Sequence, residues 1–195
     1  MRVMKIAILG AGSLGSFYGA KLAEAGEDVT FIVRSSYNAI REHGLQVQSV
    51  DGDIFLPRPK VCKHASECGP VDLVIVCWKA IYNDQLAESL PHLVKEGTEV
   101  LSLQNGMGNA EAISEFVPAE DVYVGLCFVC CMPDTPGTVR HLEGGDIQFA
   151  PLRGTDSCYE RACAFAEQFK RAGIRSTAYR DLEYIQWHKL IWNIP

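Results

Sequence analysis

An α/β fold, with a mostly parallel sheet and helices on both faces, is the class this sequence predicts. Three observations carry it. Residues 3–9 are a mostly apolar run that passes straight into Gly10-Ala11-Gly12-Ser13-Leu14-Gly15 and then into a helical stretch, Phe17 to Ala25. A later run, Val71 to Cys77, is nearly all apolar, as a strand buried on both faces of a parallel sheet is, and Thr98 to Leu103 reads as the next strand. Strand-like and helix-like segments also follow one another in turn, the order that builds such a sheet through crossover helices.

The totals narrow the function. The chain has 195 residues, enough for one large domain or one domain plus a fragment, and 18 basic against 24 acidic residues give a net charge of −6. That balance points away from nucleic acid and from anionic membranes. No apolar run has the length of a bilayer span. The basic start at Arg2 and Lys5 leads into a strand and a glycine turn with no small-residue cleavage site, so it reads as no signal peptide. Eight cysteines without such a signal read as reduced thiols of a cytoplasmic protein.

Each element has its own warrant. In strand–glycine turn–helix order, the GxGxxG spacing reads as a dinucleotide site. Gly10 turns the chain, Gly12 lets a pyrophosphate approach the backbone, and Gly15 lets helix and strand pack closely. The backbone of Ala11, Ser13 and Leu14 completes the loop, and the helix N-terminus offers N–H groups to phosphate. Asp28 to Val33 is a second strand after Gly26. Arg34 stands 22 positions past Gly12, where an acidic residue would take a ribose hydroxyl and an arginine suits a 2′-phosphate. This favours NADP(H) over NAD(H); the bland alternative is a solvated loop arginine.

Tyr37 to His43 reads as a short helix closed by Gly44. Leu45 to Val50 alternates like a half-buried strand, Asp51-Gly52 turns, and Asp53 to Leu56 returns until Pro57 and Pro59 end it. This segment reads as an elaboration inserted into the nucleotide domain. After Val71–Cys77, residues 78–84 lie at the carboxyl edge, where open α/β sheets bind ligands. Gln85 to Leu93 is helical. The strand at 98–103 runs into Gln104-Asn105-Gly106-Met107-Gly108-Asn109, again at that edge, and Ala110 to Phe116 is helical. Asp121 to Met132 is mostly apolar, with Gly125 as a candidate bend. Thr138 to Leu142 and Asp146 to Ala150 suggest two antiparallel strands about Gly144-Gly145. Asp156 to Ala172 is a helix, Ile174 to Thr177 a short strand, and Asp181 caps a last helix bearing Leu182, Ile185, Leu190 and Ile191.

Three clusters, read together, carry a resemblance: Gly10 to Gly15, Asn105-Gly106-Met107-Gly108, and Trp187-His188-Lys189-Leu190-Ile191-Trp192-Asn193. The set resembles the ketopantoate reductase family (2-dehydropantoate 2-reductases) over nearly the whole chain. The resemblance implies a Rossmann-type NAD(P)-binding domain followed by an all-helical C-terminal domain. It also implies NADPH-dependent reduction of 2-dehydropantoate to pantoate, a step of pantothenate and coenzyme A biosynthesis. On that reading residues 1–180 form the NADP(H) domain, and 181–195 begin a helical domain that is here truncated. The family's cofactor glycines match Gly10, Gly12 and Gly15, its adenosine-phosphate arginine Arg34, and a cofactor-side lysine Lys79. Its nicotinamide- and substrate-positioning asparagine matches Asn105, its catalytic lysine Lys189, and its substrate-contacting asparagine Asn193. The family's further substrate-binding asparagine, serine and glutamate have no counterpart before Pro195.

The chemistry these residues would support is reduction of a ketone. Hydride transfer leaves an alkoxide, and a nearby cation both stabilises it and supplies the proton. Lys189 suits that role, with Asn193 four positions on and on the same helix face. By pattern alone Lys189 also reads as a solvated lysine, Lys79 as a loop charge and Asn105 as a turn residue. Cys127 and Cys131 share one face of a strand and Cys130 takes the other, so the three read as buried core thiols, with no metal site. His141 and His188 read as structural or solvated. The expected partner is a small 2-keto acid, and members of the family dimerise through the helical domain, which leaves a homodimer open. The alternative is a non-catalytic NADP(H)-binding sensor or scaffold module.

Overall fold

A computed structural model describes residues 3–193, with side chains as far as Ile191. Its strands are β1 (Lys5–Leu9), β2 (Asp28–Ile32), β3 (Leu45–Ser49), β4 (Ile54–Leu56), β5 (Lys60–Cys62), β6 (Leu73–Val76), β7 (Glu99–Ser102), β8 (Val122–Pro133), β9 (Thr138–Pro151) and β10 (Ser176–Ala178). The helices are α1 (Ser13–Glu24), α2 (Tyr37–His43), α3 (Leu86–Leu93), α4 (Asn109–Ser114), α5 (Asp156–Arg171) and α6 (Leu182–Asn193), and a 3₁₀ segment, Ala80–Gln85, precedes α3.

All ten strands among the described residues join one sheet, in the order β4-β3-β9-β8-β7-β6-β1-β2-β5, with β10 on β9. Every pairing is parallel except β3–β4 and β8–β9. Side chains alternate across the sheet as the pleat requires. Ile6, Ile8, Leu73 and Ile75 face α1 and α5, where Phe17, Leu22, Phe165 and Phe169 cover them. Ala7, Leu9, Val74 and Val76 face the other way, onto Leu86, Leu90, Ile113 and Ile185 from α3, α4 and α6. Burial on both faces is why β1 and β6 are apolar at consecutive positions.

Three expectations are corrected, and one strand is added. The segment 45–56 is no separate insertion: β3 pairs in parallel with β9 and carries β4 as the sheet's outer strand. The chain then returns to the opposite edge, where Lys60–Cys62 forms β5 on β2. That strand is three residues long and directly follows Pro59, a placement that an edge tolerates and a sequence pattern conceals. Residues 138–151 are one strand and not two. The register jumps from Phe128↔Asp146 to Val129↔Gly144, so Gly145 is the extra residue of a bulge and the ladder continues past it. A second shift, between Cys130 and Cys131, leaves Cys130 exposed, Cys131 half-buried and only Cys127 buried.

His141 is structural. It is 1% exposed, its Nδ1 lies 2.8 Å from Ser49 Oγ, and its ring stacks on Phe17 with centroids 4.3 Å apart. His188 is exposed. No helix among the described residues is long and apolar enough to cross a membrane.

Candidate functional site at the carboxyl edge

The opening turn is knitted to the end of β2. The amides of Gly10 and Ala11 both donate to the Ile32 carbonyl, at 3.2 and 3.0 Å, and Gly12 N donates to Gly10 O at 2.8 Å. Gly10 has φ +93°, and a Cβ there would lie 2.7 Å from Trp78 Cβ. A Cβ on Gly15 would lie 2.8 Å from both Gly10 O and Ile8 Cγ2, so the absent side chain lets α1 sit against β1. Gly12 differs: a Cβ there would have nothing within 4 Å. Open space thus faces the α1 N-terminus, which no side chain caps. A cradle of backbone around open space suits the pyrophosphate of a dinucleotide. Ala11 is buried and offers only backbone, while Ser13 and Leu14 are half-buried at the helix start. Ser16, unremarked in the sequence, donates its hydroxyl to Ala11 O at 3.2 Å.

Arg34 is exposed just past β2, at the end that the Ile32 carbonyl ties to the turn. Its guanidinium lies 5.1 Å over the Tyr82 ring, and Nη1 donates to Gln85 Oε1 at 3.4 Å. Lys79 is exposed at the start of the 3₁₀ segment and makes no side-chain hydrogen bond or ion pair among the described residues. Asp28 sits at the other end of β2, paired with Lys60 at 2.6 Å.

The third cluster meets the second. Lys189 on α6 donates from Nζ to Asn105 Oδ1 at 2.9 Å, across 84 residues of sequence. The same ammonium donates to the Cys127 carbonyl at 3.0 Å and lies 5.7 Å from the Phe128 ring centroid. Desolvation lowers the Lys189 pKa from the ordinary lysine value, and the Cys127 thiol pulls it weakly the other way. Burial holds that thiol up to about 11, so it is neutral near pH 7. Asn193 ends α6 four positions past Lys189, and its side chain lies outside the described residues.

Sequence reading missed the amides that surround Asn105. Asn83 Oδ1 accepts from Trp78 Nε1 at 3.1 Å and from Gln104 Nε2 at 2.7 Å, and its Nδ2 donates to Asn109 Oδ1 at 2.9 Å. Asn109 Nδ2 donates to the carbonyls of Asn105 and Gly106, each at 3.2 Å. The available signal was the crowding of Gln104, Asn105 and Asn109 into one turn after a buried strand.

A glycine turn opening a helix at the carboxyl edge of a parallel sheet defines an α/β protein of the Rossmann, NAD(P)H-binding class. Within that class the chain belongs to the family described as ketopantoate reductase PanE/ApbA, whose model matches residues 6–154. It is 38% identical to the 2-dehydropantoate 2-reductase of Nostoc sp., over all of this chain and 62% of that protein. The crystal structure of 2-dehydropantoate 2-reductase from Geobacter metallireducens superposes with a TM-score of 0.95 at 42% identity, covering 98% of this chain and 63% of that one. D-mandelate dehydrogenase in ternary complex with NADH and anilino(oxo)acetate is similar at a TM-score of 0.88 and 30% identity, over 97% of this chain and 61% of that one. The chain therefore spans a little over three fifths of the length of the relatives it matches.

Proposed function

We propose that the chain is the cofactor-binding part of an NADPH-dependent 2-dehydropantoate 2-reductase, with residues 1–180 as the NADP(H) domain and 181–195 as the first helix of a helical domain. The observation that carries this reading is the meeting of Lys189 with Asn105. It brings an ammonium and an amide to the carboxyl edge at which the glycine turn also lies. When bound, the nicotinamide supplies the hydride. Lys189 then stabilises the oxyanion of the reduced keto group and gives it a proton from Nζ. The lowered pKa favours this donation, because the ammonium parts with its proton more readily than a solvated lysine does. Asn105 holds Nζ in place and orients the 2-oxo acid, and Asn193 contributes to binding that acid. Gly10, Gly12 and Gly15, with the backbone of Ala11, Ser13 and Leu14, hold the pyrophosphate, while Arg34 takes the adenosine phosphate and Lys79 anchors the cofactor on its phosphate or ribose side. The free thiols suit a reducing cytoplasm.

A second reading is an NADH-dependent dehydrogenase of 2-hydroxy acids, favoured by the likeness to D-mandelate dehydrogenase. Arg34, offered where a 2′-phosphate falls, supports the first. One titration series separates them. NADPH should bind the chain saturably, and Arg34→Ala should weaken it about tenfold or more by removing charge-assisted hydrogen bonds, with NADH affinity unchanged. In a full-length protein carrying the helical domain, ketopantoate should then oxidise NADPH, and Lys189→Ala should slow this about 10²-fold. Equal affinity for NADH, indifferent to Arg34, would hand the chain to the second reading. Saturable NADPH binding without oxidation of NADPH by the full-length protein would assign the chain to a non-catalytic binding module.

A further inference from the structure

We infer that Asn83 and Asn109 are positioning residues, whose side-chain amides form a relay that fixes the turn carrying Asn105 against Lys189. This deepens the reading of Lys189 and Asn105 as the reacting pair and rests on it.

The turn needs such support. Gly106 and Gly108 both have positive φ, +98° and +83°, and the four residues 105–108 are exposed. Their backbone lies beyond the ladder of β7, which ends at Ser102. The carbonyls of Asn105 and Gly106 are instead both held by one amide, Asn109 Nδ2. Asn109 itself is 5% exposed, with its Oδ1 fixed by Asn83. Asn83 is anchored in turn by two donors, the Trp78 indole and the Gln104 amide, and Gln104 Nε2 also donates to the Trp78 carbonyl at 3.2 Å.

Donors and acceptors run in one direction. Each asparagine uses its oxygen to accept and its nitrogen to donate, so neither amide can flip without breaking bonds on both sides. The relay ends on Asn105, whose Oδ1 accepts from Lys189. Its origin lies in the 80–85 segment, which also presents Tyr82 and Gln85 to Arg34. One short segment therefore braces both the phosphate end and the reacting end of the site.

The test reads Lys189 directly, through the pH dependence of its acetylation by acetic anhydride followed by mass spectrometry. In Asn109→Ala and in Asn83→Leu, both neutral changes, Asn105 should drift and leave the ammonium with one acceptor fewer. The titration midpoint should fall by about half a pH unit or more, since a hydrogen bond to the charged form is lost. Asn105→Ala should give the same fall, and Asn109→Ala should add nothing in the Asn105→Ala background. Asn109→Ser, which regains a donor, should recover part of the shift. Thermal melts identify which variants fold, and the two relay positions give independent routes to the answer. An unmoved midpoint, or a shift that persists without Asn105, overturns the relay. NADPH titration of the unsubstituted chain separately tests the functional reading, since its failure would leave the midpoint comparison intact.

Discussion

Gly12 and Gly15 stand three residues apart and differ in what one methyl group would meet. At Gly15 it would press on a backbone oxygen and on Ile8 at 2.8 Å. Gly15→Ala should therefore cost about 1–3 kcal/mol of stability, the usual price of overpacking. At Gly12 it would enter open space with φ at an ordinary −77°. Gly12→Ala should melt like the parent and, on the proposed placement of the pyrophosphate, bind NADPH at least about tenfold more weakly, because the methyl would stand in its path. Urea midpoints and cofactor titrations on the two variants check the contrast. Equal loss of stability in both would remove the distinction between a packing glycine and a binding glycine.

At the level of elements, α6 carries Lys189, the lysine proposed as the proton donor, and its docking decides where that side chain goes. Asp181 caps its start, accepting from Tyr184 N at 3.0 Å. Ile185, fully buried, pins the helix to the sheet face shared with α3 and α4. Lys189 follows one turn later on that side, while Tyr184, Trp187 and Ile191 are exposed. Ile185→Ala should cost about 2–4 kcal/mol as a large-to-small core change, and should loosen Lys189 from Asn105. Thermal unfolding and the acetylation rate of Lys189 report the two effects. An unchanged melt would show that the docking of α6 contributes nothing to the fold.

Across the whole molecule, both cores enclose thiols whose burial holds the proton on. Cys127 is pushed to about 11, Cys62 to about 12 and Cys131 to about 12, each from an ordinary value of 9.0. The sign follows from proton binding. Below pH 9 both folded and unfolded chains keep these protons, and the stabilisation is complete. Above it the unfolded chain releases them while the folded chain does not, so stability falls as pH rises towards the folded values. Cys127, buried between β8 and α1, should by itself remove about 1.4 kcal/mol per pH unit between about pH 9 and 11. Urea unfolding at pH 8 and pH 10 should show this loss, and Cys127→Ala should reduce it. A flat profile over that range would mean that the thiols titrate normally and that the enclosure is incomplete.

The central parallel strands, the glycine turn and the helices were legible because each rests on local chemistry. Buried strands require apolar runs, a tight turn onto a helix requires glycine at set spacing, and Asp181 needs only its own helix to cap. Arg34, Asn105 and Lys189 were legible as residues of interest, through position at a strand end and through family resemblance. Their geometry was not. Whether Lys189 faces Asn105 or water depends on how α6 docks, and that is set by contacts between segments far apart in the chain. The same reason hid β5, the continuous β9 and the Asn83–Asn109 relay. Hydrogen bonds across a sheet edge or between two loops leave no periodic mark in the sequence, because their partners become neighbours only after the chain has folded.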